Sequence, residues 1–494
     1  MQKTGSVQNT VPVSAVAKLR VTVRAGIFFD GTANNRVNSR IGAECQAMME
    51  ANNNSHISEC GGRHAEPGSS YNNDLSNIAR LADLYRQRHT ASNEGQGLKV
   101  YWPVYVSGAG TTSGGRDSLL TGQSFGRGLT GVVAKVERAF AKLESRMKHF
   151  SQDNPGCVIE TLELDVFGFS RGAASARHFV NEILKQDKGA LEPILRSRRV
   201  PLGAAFAWNR GSVRVKVVGL YDTVAAVGSL MDLGNVRDAS NTRVNLYLPE
   251  GCAEQVVHLV ARDEHRRNFA LNSITPAWNR EIVLPGAHAD IGGGYPTQML
   301  EKVLLTRPRV SLVYRDSPCE ASQAWLDSLA ELQRMSIERW LIDPQDSQAS
   351  LRVECCESIG RGRGSRLGAK TVAAAVCLRR QVFGDLQRVY LRIMHELARD
   401  AGAPLMPIPG GVQSGVRAEL QGIADKLMYY ARGGPYGLDV QEERILQWRY
   451  IHRSAHWGGA LGSIGTLSDA VFVHAPAPAG RVLHPNVSQP GYPQ

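Results

Sequence analysis

The sequence lacks any stretch apolar enough to leave water on its own. Its first twenty residues, MQKTGSVQNTVPVSAVAKLR, hold no apolar run long enough for a secretory signal. No uncharged apolar run approaches the ~18 residues that a membrane-spanning helix needs. Thr371 to Leu378, for example, is only eight residues between Lys370 and Arg379. The chain is therefore expected to be made soluble in a cytoplasm. Cysteine is sparse, with eight in 494 residues, none in a CxxC and none beside a histidine pair at ligand spacing. That excludes a disulfide scaffold and argues against structural zinc. Most of the eight are expected to be buried thiols, with Cys45 and Cys60 the one pair suited to bridge a loop. Charge of one sign is also not concentrated. The balance is +11, yet there is no lysine-rich tail and no arginine run longer than Arg196-Ser197-Arg198-Arg199. A diffuse excess suits nucleic acid, an anionic membrane surface or neither. No recognised nucleic-acid motif accompanies it, so no nucleic-acid partner is expected.

What is present is an ordinary globular balance, 43% apolar and 21% charged, which excludes disorder over the whole length. The length allows two or three domains, or one large decorated one. Val21 to Phe29 is rich in β-branched and aromatic residues and predicts a buried strand ending at Asp30-Gly31-Thr32. Residues 33–73 are polar and too long for a simple connector. Asp74 then suits a helix N-cap, with Leu75, Ile78, Ala82 and Tyr85 on one face. Strands follow at Val100–Val106, Leu162–Phe167, Val213–Leu220, Val256–Ala261 and Ile282–Pro285, with helical patterns at 129–143 and 172–185. This alternation predicts an α/β fold with a mostly parallel sheet covered on both faces. After residue 300 the periodicity turns helical, at 321–341, 371–399, 416–430 and 441–452. The reading divides the chain into a leader (1–18), a mostly parallel α/β domain (19–300), a mainly helical region (301–455) and an irregular Pro- and Gly-rich tail (456–494).

The sharpest local feature is Gly168-Phe169-Ser170-Arg171-Gly172, preceded by a hydrophobic strand and followed by Ala173, Ala174 and Ala176. Gly-x-Ser-x-Gly between a strand and a helix is the setting of a nucleophile elbow, which holds a serine hydroxyl above the sheet edge on a strained turn. The helix N-terminus behind it favours developing negative charge. The Arg171 amide is a candidate oxyanion donor. Gly31 or Thr32, in the turn after the first strand, is the candidate second donor.

A serine nucleophile needs a base and an orienting acid, found in hydrolases of this kind in the order Ser, Asp or Glu, His. Asp222 follows the strand 213–220 and so faces the same crevice as the elbow. Asp263 is the competing acid, in a run where charges can satisfy each other. His288 lies in the glycine-rich loop after the last strand, and His452, ending a late helix, is the competing base. Asp290 is read as a cap for that loop rather than a cation ligand. The chemistry requires no metal or other cofactor.

FFDGTANN at 28–35, GFSRGAASAR at 168–177, GLYDTVAAVG at 219–228, ARDEHRRNF at 261–269 and GAHADIGGGY at 286–295 occur together and in order. They resemble the α/β-hydrolase domain of the type VI secretion lipase effectors of the first Tle family, and IHRS at 451–454 is a weaker echo. The resemblance implies a phospholipase A toxin delivered into a rival bacterium's periplasm, acting on membrane phospholipids. It also implies a VgrG-type spike protein and a cognate immunity lipoprotein as partners. Carried over by motif, Ser170 would be the nucleophile, Asp222 the acid and His288 the base. A serine esterase acting on a soluble ester, and a hydrolase-fold binding module without activity, remain the alternatives.

Overall fold

Runs rich in Val, Ile and Phe that end in polar turns form a seven-stranded sheet in the computed structural model. It describes residues 18–50, 69–95, 97–113, 131–225, 244–336, 341–359, 368–410, 415–458 and 474–488. In chain order the strands are β1 (Leu19–Phe29), β2 (Arg88–Asn93), β3 (Leu98–Val106), β4 (Cys157–Phe169), β5 (Val213–Tyr221) and β6 (Gln255–Ala261). The two-residue β7 (Leu271–Asn272) lies outside the sheet, and β8 (Glu281–Leu284) completes it. Their order in space is β2-β3-β1-β4-β5-β6-β8, parallel throughout except for the antiparallel edge strand β2. The order runs back through β3 and β2 on one side of β1 and forward through β5, β6 and β8 on the other side of β4. The carboxyl ends of β1 and β4 therefore flank a switch point, where open α/β sheets place their binding crevice.

The first helices are α1 (Arg36–Glu50), α2 (Asn77–Leu84), α3 (Val132–Asp153) and α4 (Arg171–Leu184), of which α2, α3 and α4 cover this sheet. On one face, Phe140, Leu143 and Met147 of α3 and Phe179 and Val180 of α4 are buried with Val21, Val23 and Ile27 of β1 and Leu162 and Leu164 of β4. The opposite face is shared between distant parts of the chain. After α5 (His288–Gly292) and α6 (Gln323–Ser336), α7 (Leu386–Asp400) lays Tyr390, Ile393, Met394 and Leu397 on Phe167, Val217 and Tyr221, beside Ile78 and Leu81 of α2. The helices α8 (Ala418–Ala431) and α9 (Val440–Ile445) follow, and Leu420, Ile423 and Leu427 of α8 join the same core. The expected α/β class, with a parallel sheet between helices and further helices after residue 300, is the class observed.

Within the C-terminal half the expectation of one long helix over 371–399 is overturned. Ala369–Phe383 is a strand, β12, and only Leu386–Asp400 is helical. The alternatives were hard to separate because the continuous apolar run 371–378 satisfies a helical stripe and a fully buried strand equally. Pairing decides it. β12 is central in an antiparallel sheet with β9 (Gln298–Leu304), β10 (Arg309–Tyr314) and β11 (Ser350–Ser358), so its backbone is satisfied by ladders on both sides. The N-cap of α2 is Ser76, whose Oγ accepts from the Ala79 amide at 3.1 Å, and not Asp74, which pairs with Arg80 at 2.8 Å. Cys319 and Cys355 form a disulfide instead of remaining thiols, while Cys157, Cys252 and Cys377 are buried and free. Cys45 is disulfide-bonded, and Cys60, its expected partner, lies outside the described residues, as does almost all of the leader. Among the described residues no helix is long and apolar enough to cross a membrane.

Candidate active site

β4 is buried along nearly its whole length and ends at Phe169. The next residue, Ser170, has φ 57° and ψ −127°, and α4 begins at Arg171. A non-glycine residue in this region is strained, and such strain concentrates at functional sites. The flanking glycines let the bend close. A Cβ at Gly172 would collide with the carbonyl oxygens of Phe29 and Asp30, and one at Gly168 with the Gly172 carbonyl and the Ala173 backbone. The serine thus sits against the end of β1, and its own amide donates to the Tyr221 carbonyl at 3.1 Å. No side-chain hydrogen bond ties Ser170 Oγ down as a helix cap.

Phe169 of β4 and Tyr221 of β5 are register partners, so Asp222 emerges from β5 beside the elbow. Asp222 is fully buried, with φ 40°. Its Oδ2 meets His288 Nδ1 at 2.5 Å, and its Oδ1 accepts from the Ala261 amide at 3.0 Å. His288, the first residue of α5, is packed by the Phe169 ring at 4.7 Å and by the edge of Phe269 at 4.9 Å. The carboxyl ends of β4 and β5 therefore set Ser170 beside Asp222, whose carboxylate pairs with His288. Burial alone would raise the Asp222 carboxyl. Arg481 and His288 offset that and hold it far below the usual carboxylate range. Burial depresses His288, against the opposing pull of Asp222.

Arg481 escaped the sequence reading. It comes from the irregular tail, and its Nη1 and Nη2 reach Asp222 Oδ1 and Oδ2 at 2.8 Å each. No local pattern announces such a partner. Glu264, also unremarked as a site residue, is fully buried behind His288. It accepts from Arg266 at 2.7 Å, from the His288 amide at 3.3 Å and from Ser454 Oγ at 3.1 Å.

Arg171 Nε donates to Thr32 Oγ1 at 2.6 Å, which fastens the turn after β1 to the elbow. Of the two amides proposed from that turn, Gly31 N–H donates to Asp30 Oδ1 at 2.7 Å and is thereby occupied. The remaining candidates are the amides of Thr32 and Arg171. Asp30 itself is buried and accepts from Ser76 Oγ and Tyr105 Oη at 2.6 Å each.

The competing residues have other partners. Asp263 accepts from the Gly286 amide at 2.7 Å and so anchors the loop carrying His288 at its entry. His452 Nδ1 meets Asp290 Oδ1 at 2.6 Å, and its ring stacks on Tyr295 at 3.7 Å. Asp290 Oδ2 accepts from the Ala287 amide at 2.9 Å, the capping contact expected of it. His258 lies inside β6, bonded to the Thr223 amide and to Glu281 at 3.0 Å each. A cavity of about 770 Å³ beside β2, lined by Arg36, Arg86, Arg88 and Arg146 among others, includes none of the three residues at the sheet edge.

Residues 203–314 match the model of the Tle1-like type VI secretion phospholipase effector catalytic domain, a span that contains Asp222 and His288. The chain is similar to the Tle1 effector solved in its complex with the VgrG spike of the type VI secretion system. The identity is 27%, 98% of each chain is covered and the TM-score is 0.70. An uncharacterized protein from Pseudomonas aeruginosa matches at 19% identity over 87% of this chain and 53% of its own, with a TM-score of 0.35, too low to support a comparison. None of the curated proteins compared matches the sequence. A parallel-sheet fold shared over the full length with the Tle1 effector, together with the match of residues 203–314 to the catalytic-domain model, supports a type VI secretion lipase effector.

Proposed function

We propose that the protein is a serine carboxylic-ester hydrolase of the phospholipase A type, with Ser170 as nucleophile, His288 as base and Asp222 as acid. The observation that carries this reading is the strained Ser170 on the same sheet edge as the buried His288–Asp222 pair. His288 Nε2 would take the proton as Ser170 Oγ attacks the fatty ester carbonyl. Asp222 holds the Nδ1–H tautomer and stabilises the imidazolium. The Arg171 and Thr32 amides would receive the oxyanion, the first of them aided by the N-terminus of α4. His288 then returns the proton to the departing lysophospholipid oxygen. Water, deprotonated by the same imidazole, attacks the acyl-enzyme to release fatty acid and restore the serine hydroxyl.

The +11 balance suits work at an anionic bilayer, where each basic group near the surface contributes about 1 kcal/mol. The resemblance to an effector seated on a VgrG spike supports delivery on such a spike. We place its action against a rival bacterium's phospholipids in the periplasm, with a cognate immunity lipoprotein as the protective partner. In the test, wild type and Ser170→Ala are incubated with vesicles of phosphatidylglycerol and phosphatidylethanolamine. Wild type should release free fatty acid, and the variant should lose activity by at least about a thousandfold. Undiminished release by Ser170→Ala would sink the assignment.

A further inference from the structure

Asp222 is held from two sides. Each of its oxygens accepts two hydrogen bonds, Oδ1 from the Ala261 amide and Arg481 Nη1, Oδ2 from His288 Nδ1 and Arg481 Nη2. The guanidinium is itself fixed, with Nε donating to the Phe269 carbonyl at 2.7 Å and Nη1 also reaching the Ala261 carbonyl at 3.3 Å. Arg481 rides on a tail laced to the loop after β6. The Ala477 amide donates to the His265 carbonyl at 2.8 Å, the Arg267 amide to the Ala475 carbonyl at 2.9 Å and the Leu271 amide to the Val482 carbonyl at 2.8 Å. Just beyond it, β13 (Leu483–His484) pairs in parallel with β7.

We infer that Arg481 is a positioning residue for the acyl-transfer reaction, fixing the rotamer of Asp222 and, by neutralising its charge, setting the pH at which His288 acts as base. The inference rests on the triad reading above. An Asp that is both clamped and neutralised orients the imidazole but stabilises the imidazolium less than a free carboxylate would. The charged groups facing His288 are Asp222 from β5, Glu264 and Arg266 from the following loop, and Arg481 from the tail. Glu264 and Arg266 are paired with each other, so Arg481 is the cation whose loss leaves Asp222 unopposed. Its removal favours the imidazolium, so the neutral base is reached only at higher pH.

The test is the pH dependence of kcat/KM for wild type, Arg481→Gln and Arg481→Lys in the full chain, on phosphatidylglycerol vesicles and by the rate of fluorophosphonate labelling. Arg481→Gln should move the acid limb to higher pH, costing about tenfold at a pH on the wild-type limb beyond any loss on the plateau. Arg481→Lys keeps the charge but not the two-point grip. It should keep the limb and lose about threefold on the plateau. A plateau that falls with the limb unmoved in Arg481→Gln makes the arginine merely structural and overturns the inference, as does a profile that does not change at all. If Arg481→Gln does not fold, a shifted limb in Arg481→Lys overturns it, and an unshifted limb with a lowered plateau sustains it. The triad reading fails separately, through full labelling and hydrolysis in Asp222→Ala or His288→Ala.

Discussion

Two buried His–Asp pairs meet at one short stretch of chain, His288 to Asp290, and their surroundings separate their roles. His288 stands beside the elbow and pairs with the residue that leaves β5 there, whereas His452 pairs with Asp290, which caps the loop carrying His288. His288→Ala should therefore lower vesicle hydrolysis by about ten-thousandfold. His452→Ala should cost about tenfold, by loosening the loop and unstacking Tyr295. Fatty-acid release by the two variants checks this, and the reverse ranking would move the base to His452. The sharp turn at Ser170 and the strand ends that carry Asp222 and His288 were legible because a strand, a glycine-framed serine and two later strand ends each leave a local mark. Arg481 was not legible, since a guanidinium that crosses 259 residues to reach its carboxylate imposes no spacing on its neighbours. The Gly31 amide was unreadable for a related reason: Asp30, one residue earlier, folds back to take it.

At the level of elements, the strand-to-helix junction of β4 and α4 depends on backbone touching backbone. Gly172→Ala would drive a methyl into the carbonyls of Phe29 and Asp30, which belong to the end of a central strand and its turn and cannot yield as a side-chain tip could. It should cost about 2 kcal/mol or more and displace Ser170, so urea midpoints and serine labelling should fall together. Retained labelling with a normal midpoint would show that the junction has slack. The parallel strands were readable because they are buried on both faces and read as continuous β-branched runs. β12 was misread as helix because Val376 and Phe383 suit either period. What decides between them is the presence of β9, β10 and β11 as hydrogen-bonding partners, which is tertiary information. Edge strand β2, with exposed Arg88 and Thr90 around a half-buried His89, carries no hydrophobic alternation and was invisible for that reason.

Across the whole molecule, the C-terminal half completes the α/β core rather than hanging from it. α7 covers one sheet face, Ser454 reaches Glu264 behind His288 and the tail returns to Asp222. Acid stability should report this closure. Burial would raise the Glu264 carboxyl, yet the Arg266 guanidinium pulls it down to about 2. Its folded value lies below its unfolded value, so its contribution is complete above about pH 4.5 and is lost as pH falls through about 2. Asp30, Asp165 and Asp290 are raised by burial and have the opposite sign, favouring the folded state more as they protonate. Total stability therefore mixes both signs, and comparison with Glu264→Gln isolates one of them. Removing the charge leaves Arg266 buried and unpaired, which should cost about 3 kcal/mol near neutral pH. That deficit should shrink as the solution is taken from pH 4.5 toward 2, because wild-type Glu264 is then losing the same charge. Urea midpoints of both proteins across this window check it, and a deficit independent of pH would mean that Glu264 acts through packing rather than through its charge.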